Sequence, residues 1–168
     1  LRAMGLEDME LRLTAYEAAL AAKSAHVSRT LIAGTFFVDR VACSGPKVVY
    51  AYRKDRLGIV IFGSPIRCSD NVFLRSANGE VTINARPGDK YISVARSHPG
   101  RPRVIGPLSS GFELVQLIRA LAESPDQKQG SSTLPGLALS YSQILEILEK
   151  LCQSEAAPAR YVSGDATK

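Results

Sequence analysis

Leu6, Met9, Leu13, Tyr16 and Leu20 recur at spacings of three and four, which is the apolar stripe of an amphipathic helix. Asp8 stands where an N-cap belongs, and Glu7, Asp8 and Glu10 suit the positive end of the helix dipole. Glu10, Arg12, Glu17 and Lys23 fall on the polar face. No partner helix precedes this one in the sequence. The stripe therefore fits either the last helix of an α-solenoid repeat or a helix packed across one end of a β-domain. Met9, Leu13 and Tyr16 are the candidate partner surface, because a helix that ends a repeat array leaves such a stripe for a neighbour.

The periodicity changes after residue 33. Thr35–Ala42 and Lys47–Arg53 are β-rich and are separated by the turn signal Ser44-Gly45-Pro46. Leu57–Phe62 follows a polar turn, and its run Ile59-Val60-Ile61-Phe62 predicts a central strand buried on both sides. Val72–Ala77 and Glu80–Ala85 flank Asn78-Gly79, a strong hairpin signal because both residues tolerate positive φ. Tyr91–Arg96 alternates, and Arg103–Ile105 is a last short strand.

Two helices are predicted beyond the strands. Ser110-Gly111-Phe112-Glu113 and Ser140-Tyr141-Ser142-Gln143 both have the spacing of a capping box. Apolar stripes follow each, Phe112 to Ala122 and Ile144 to Leu151. The expected fold class is α+β: an antiparallel sandwich or partly open barrel of about six or seven strands, with one N-terminal and two C-terminal helices. The expected divisions are 1–33 (helical), 34–108 (β-rich), 109–153 (helical pair) and 154–168 (flexible tail).

Composition narrows the function. No apolar run approaches the roughly 18 residues that span a bilayer, so no membrane span is expected. The chain begins at Leu1, which suggests a fragment or processed form. Charge is uneven: residues 34–106 hold twelve basic and five acidic groups, a net of +7, whereas 107–168 carry a net of −2. The strand region should attract an anionic partner or an acidic protein surface. Arg96, His98, Arg101 and Arg103 form the densest cationic cluster and are the candidate anion-binding residues. No Lys/Arg-rich block or aromatic nucleic-acid signature accompanies them.

Catalytic patterns are missing from the sequence. No nucleophile elbow, phosphate loop or dinucleotide fingerprint occurs, and His26 and His98 lie far apart. Asp39, Asp55, Asp70 and Asp89 read as strand-end or turn residues. Cys43, Cys68 and Cys152 have no zinc spacing; one bridge, Cys43 to Cys68, stays open in an oxidising compartment. No enzyme activity, cofactor or metal is expected.

The order of elements resembles a known arrangement. The segments that carry it are Leu11–Ala18, Gly34–Val38, Ser44–Tyr50, Leu57–Gly63, Val81–Ile83 with Ile92–Arg96, and the final helices. Together they resemble the C-terminal region of HEAT-repeat proteins described as bacterial flagellar P-ring proteins, over roughly residues 8–152. The ring-forming body is absent and only one repeat-like helix is present. The resemblance implies a periplasmic or envelope-associated assembly module without catalysis, with cytoplasmic location as the alternative, and it carries over no binding residues. The expected function is a structural or protein-interaction module whose partners are other proteins or copies of itself. The alternative is a basic module for nucleic acid or another polyanion.

Overall fold

The N-terminal stripe forms helix α1 (Met9–Ala21) in the computed structural model of the chain, which describes residues 2–97, 104–126 and 135–164. Asp8 caps it: its Oδ1 accepts from the N–H groups of Glu10 at 2.9 Å and Leu11 at 3.1 Å. Those are two of the donors that a helix start leaves without partners. The strands β1 (Val27–Ile32), β2 (Phe36–Val41), β3 (Val48–Arg53), β4 (Leu57–Phe62), β5 (Val72–Arg75), β6 (Val81–Ala85), β7 (Ile92–Ser97) and β8 (Val104–Ser110) follow. Helices α2 (Leu114–Ala122) and α3 (Tyr141–Gln153) and strand β9 (Arg160–Ser163) complete the order.

The chain divides into two units. Residues to Ile66 join those from Pro158 in unit 1, and Arg67–Ala157 make unit 2. Unit 1 is a five-stranded sheet in the order β1-β2-β4-β3-β9. β4 lies at its centre, and Ile59, Val60, Ile61 and Phe62 are wholly buried, as their continuous apolar run requires. α1 packs on one face, where Met4, Tyr16, Val41, Val48, Val60 and Phe62 form a cluster. Met9, Leu13 and Leu20 lie half-buried against it. The alternate residues Ile32, Val38, Val49, Ile59 and Ile61, whose side chains point to the other face, are also buried.

Unit 2 is an antiparallel meander, β5-β6-β7-β8, with α2 and α3. The predicted Asn-Gly hairpin joins β5 and β6. Gly79 takes φ +72°, and the Asn78 side-chain oxygen accepts from the Ser76 hydroxyl at 2.6 Å and the Glu80 N–H at 3.1 Å. The Ser140 cap is also in place. Ser140 Oγ accepts from the Gln143 N–H at 3.3 Å, while Gln143 Oε1 accepts from the Ser140 N–H at 3.0 Å.

Several expectations are corrected. The fold is α+β, but the described residues hold nine strands in two open sheets, and neither sheet closes into a barrel. Unit 1 is mixed rather than antiparallel, because β2 pairs with β4 and β3 with β9 in parallel. β1 falls inside the segment read as helical; its sequence Val-Ser-Arg-Thr-Leu-Ile, with three β-branched residues, pairs with β2 from Val27↔Val41 to Ile32↔Phe36. The 34–108 stretch does not form one body, since the two units divide at Ile66. Residues 154–164 are not a frayed tail: Ala156 and Ala157 are buried and β9 completes unit 1. Ser110 is not a helix cap. It ends β8 opposite Ile92, and the α2 cap is Glu113, whose N–H donates to Gln116 Oε1 at 3.3 Å.

Candidate functional site

The two surfaces singled out from sequence are placed differently by the fold. Arg96 Nη1 donates to the carbonyls of Leu137 and Ala138 at 3.2 Å each, and its Nη2 lies 3.6 Å from Glu80 Oε2. Its side chain is 14% exposed, so it ties β7 to the segment before α3 and does not present a cation to solvent. His98, Arg101 and Arg103 lie outside the described residues. On α1, Tyr16 is buried and Met9 and Leu13 pack against the cluster on their own sheet. Tyr16 is thus engaged within unit 1, while Met9 and Leu13 stay half-buried there. Leu11 and Leu6 are the exposed leucines at this end.

What the fold brings together instead is a polar cluster under a cavity in unit 1. Asp39 sits in mid-strand, not at a strand end, and is 0% exposed. Its two oxygens take a two-pronged contact from Arg29 across the β1–β2 pair: Nε to Oδ1 and Nη2 to Oδ2, both at 2.8 Å. This fork-on-fork geometry is the strongest that a guanidinium makes with a carboxylate. The Tyr16 hydroxyl donates to Asp39 Oδ2. Arg29 Nη2 also lies 3.3 Å from the Tyr16 oxygen. Tyr52 also hydrogen-bonds Tyr16.

Electrostatics follow from burial and from this carboxylate. Burial, then the hydrogen bond to Asp39, pushes the Tyr16 phenol well above its ordinary range. Burial and the nearby Asp39 charge raise Tyr52 as well. The hydrogen bond to Asp39 raises Arg29 against the opposing effect of burial. Both phenols therefore stay protonated at neutral pH and do not act as bases.

Aromatic side chains build the rest. Arg29 lies 4.7 Å and Arg56 5.8 Å from the centre of the Phe37 ring, so two guanidinium groups share one face of unit 1. The Tyr52 ring occupies the space opposite Gly58: a Cβ at residue 58 would stand 2.2 Å from the Tyr52 ring and hydroxyl. Tyr50 and Tyr52 stack with centroids 6.2 Å apart and planes at 23°. The cavity these groups enclose is about 350 Å3, lined by Leu13, Tyr16, Glu17 and Leu20 from α1 and by Arg29, Tyr50, Tyr52, Lys54, Asp55 and Arg56. Glu17, Lys54, Asp55 and Arg56 are exposed at its mouth.

A buried cation lies elsewhere on α1. Arg12 is 0% exposed, donates from Nη1 to the Pro46 carbonyl at 3.0 Å and lies 5.2 Å from the centre of the Phe62 ring. Its Nε and Nη2 are buried with no hydrogen-bond partner among the described residues. Sequence placed Arg12 on the polar face, and the fold turns it inward. In unit 2, burial holds the Cys68 thiol up at about 12 and the Cys152 thiol at about 11, so both are neutral. All three cysteines are free, including Cys43 and Cys68. Among the described residues no group of His, Cys, Asp and Glu could hold a metal ion, and no helix is long and apolar enough to cross a membrane.

Sequence reasoning missed Arg29, Asp39, Tyr52, Arg56 and Gly58. One signal was present: an aspartate-arginine pair inside the apolar run Phe-Phe-Val-Asp-Arg-Val has no turn to serve. No protein-family model, curated protein or solved structure matches this chain.

Proposed function

We propose that the chain is a non-catalytic binding module whose ligand enters the unit 1 cavity. The observation that carries the reading is the Arg29–Asp39–Tyr16 cluster beneath the cavity floor. A part-buried ion pair is weak as a source of stability, since the cost of desolvating the carboxylate offsets much of the attraction. It does fix side chains in one geometry, and here it fixes the base of a cavity walled by leucine and tyrosine. That combination of apolar walls with a few oriented polar groups is what small-ligand sites have, in a usual range of ~300–1,000 Å3. The phenols stay protonated and supply no base, which favours holding a ligand over transforming it.

The setting is an assembly of proteins, of the envelope type that the resemblance to P-ring-like HEAT-repeat proteins implies. The polyanion alternative has less support, because Arg96 is engaged within unit 2.

Thermal shift against a library of small aromatic and aliphatic fragments tests the reading. Fragments should raise the melting temperature of the wild-type chain, and the effect should vanish in Leu20→Trp, which fills the cavity. Fragments that stabilise both proteins equally, or none that stabilise the wild type, would refute it.

A further inference from the structure

Two of the three cysteines belong to unit 2, and backbone bonds bring their segments to one place. Cys68 stands at the start of that unit and Cys152 in the last turn of α3, near its end. The Cys68 segment is pinned along its length. Arg67 bridges to Glu113, the Cys68 N–H donates to the Phe112 carbonyl at 2.8 Å, and the Ser69 N–H donates to the Ala156 carbonyl at 2.7 Å. Ala156 in turn lies against the end of α3, because the chain folds back there. Glu155 takes a positive φ of 59°, its N–H donates to the Cys152 carbonyl at 3.2 Å, and the Ala157 N–H donates to the Leu151 carbonyl at 2.9 Å. These bonds set Cys68 beside the helical turn that carries Cys152. Electrostatics agree with that placement: burial first, then the charge of Cys152, hold the Cys68 thiol up, and Arg67 acts the other way. Cys68 is 3% exposed, Cys152 is half-buried, and both thiols are free. Cys43 is the one cysteine of unit 1.

We propose that Cys68 and Cys152 are a dithiol that a hydroperoxide closes to a disulfide, tying together the two ends of unit 2 at their root. Cys152 is the more accessible and reacts first. Its thiolate attacks a peroxide oxygen, so an S–O bond forms, the O–O bond breaks, and the leaving hydroxide takes up a proton as water. The sulfenic acid is then attacked by the Cys68 sulfur. An S–S bond forms, the S–O bond breaks, and a second water leaves with the Cys68 proton. Two thiols and one hydrogen peroxide thus give one disulfide and two waters; sulfur is oxidised and peroxide oxygen is reduced. The bond joins the stretch just after Ile66, where the chain enters unit 2, to the stretch just before Pro158, where it leaves.

Treating the folded chain with hydrogen peroxide, blocking the remaining thiols and mapping the peptides by mass spectrometry without reduction tests this. A Cys68–Cys152 link within one chain should form and should be removed by dithiothreitol, with Cys43 outside it. Its rate should climb about tenfold per pH unit between about pH 7 and 9, because the thiolate is the nucleophile and burial holds the Cys152 thiol up at about 11. In Cys68→Ser, Cys152 should stop at the sulfenic acid and be captured by dimedone; in Cys152→Ser, Cys68 should stay reduced. In urea, loop closure favours the shorter Cys43–Cys68 loop, so the link should move there once the fold is lost. A folded chain that links Cys43 to Cys68, that joins two chains through Cys152, or that keeps both thiols of unit 2 while Cys43 is oxidised would overturn the proposal. So would a Cys68–Cys152 preference that survives unchanged in urea, since the fold would then not be its cause.

Discussion

A carboxylate with no exposed surface is held in a β-strand by three donor contacts: Nε and Nη2 of Arg29 and the Tyr16 hydroxyl. Asp39→Ala leaves the buried Tyr16 hydroxyl without its acceptor, while Arg29 stays in contact with water, and should cost about 2–3 kcal/mol in urea unfolding. Tyr16→Phe removes one donor and keeps the ring against Phe62, so its cost should be smaller, about 1 kcal/mol. If the two variants prove equally mild, the cluster does not organise unit 1. The raised Tyr16 pKa also fixes the sign of a pH effect. The folded state holds that proton more tightly than the unfolded chain. The contribution is thus complete below the ordinary tyrosine value of about 10 and is lost as pH rises towards the folded pKa. Stability measured by denaturant titration should fall above about pH 10, and Tyr16→Phe should flatten that fall. None of these partners could be paired from sequence, because Arg29, Asp39 and Tyr16 meet only through the β1–β2 register and the packing of α1.

Helix α1 shows how far periodicity reaches at the scale of an element. Its Asp8 cap was legible, and so was the inward turn of Tyr16, but its end at Ala21 was not, since β1 lies within the segment read as helical. The burial of Arg12 was not, because charge argues for the polar face while its position, four before Tyr16, lies on the packed one. With Nε and Nη2 unsatisfied, that guanidinium is a poor core residue. Arg12→Met keeps the length of the side chain against Phe62, removes the desolvated charge and loses the bond to Pro46. The cation–π contact with Phe62 goes too, but the relief of desolvation outweighs it, so the melting temperature should be unchanged or rise; a fall of several degrees would mean that Arg12 contributes net stability. The two serine-led boxes differ for a related reason. Ser140 follows a segment free to end at the cap, whereas Ser110 is held in strand pairing with Ile92, and the longer-range ladder decides.

For the whole molecule, alternation and turn residues revealed a strand-rich α+β chain and its Asn78-Gly79 hairpin. They did not reveal that the chain leaves unit 1 at Ile66 and returns to it at Pro158. Strand pairing over such a separation leaves no local mark, and Arg160–Ser163 is too short and too polar to declare itself. Ending the chain after Ala157 should strip β9 from β3 and destabilise unit 1. Hydrogen exchange would show it as faster exchange in β3, where the wild-type chain pairs Val48–Ala51 with Arg160–Ser163. Unchanged protection in β3 would contradict the assignment of β9 to that sheet.

The central claim is that unit 1 holds its ligand in the cavity over the Arg29–Asp39–Tyr16 cluster. Its most direct test is a proton–nitrogen NMR titration of the chain with the fragment that most raises its melting temperature. The account predicts saturable shifts confined to the backbone amides of Leu13, Glu17, Leu20, Tyr52 and Arg56, all absent in Leu20→Trp. Saturable shifts lying only within Arg67–Ala157, or the same shifts in the filled variant, would contradict it.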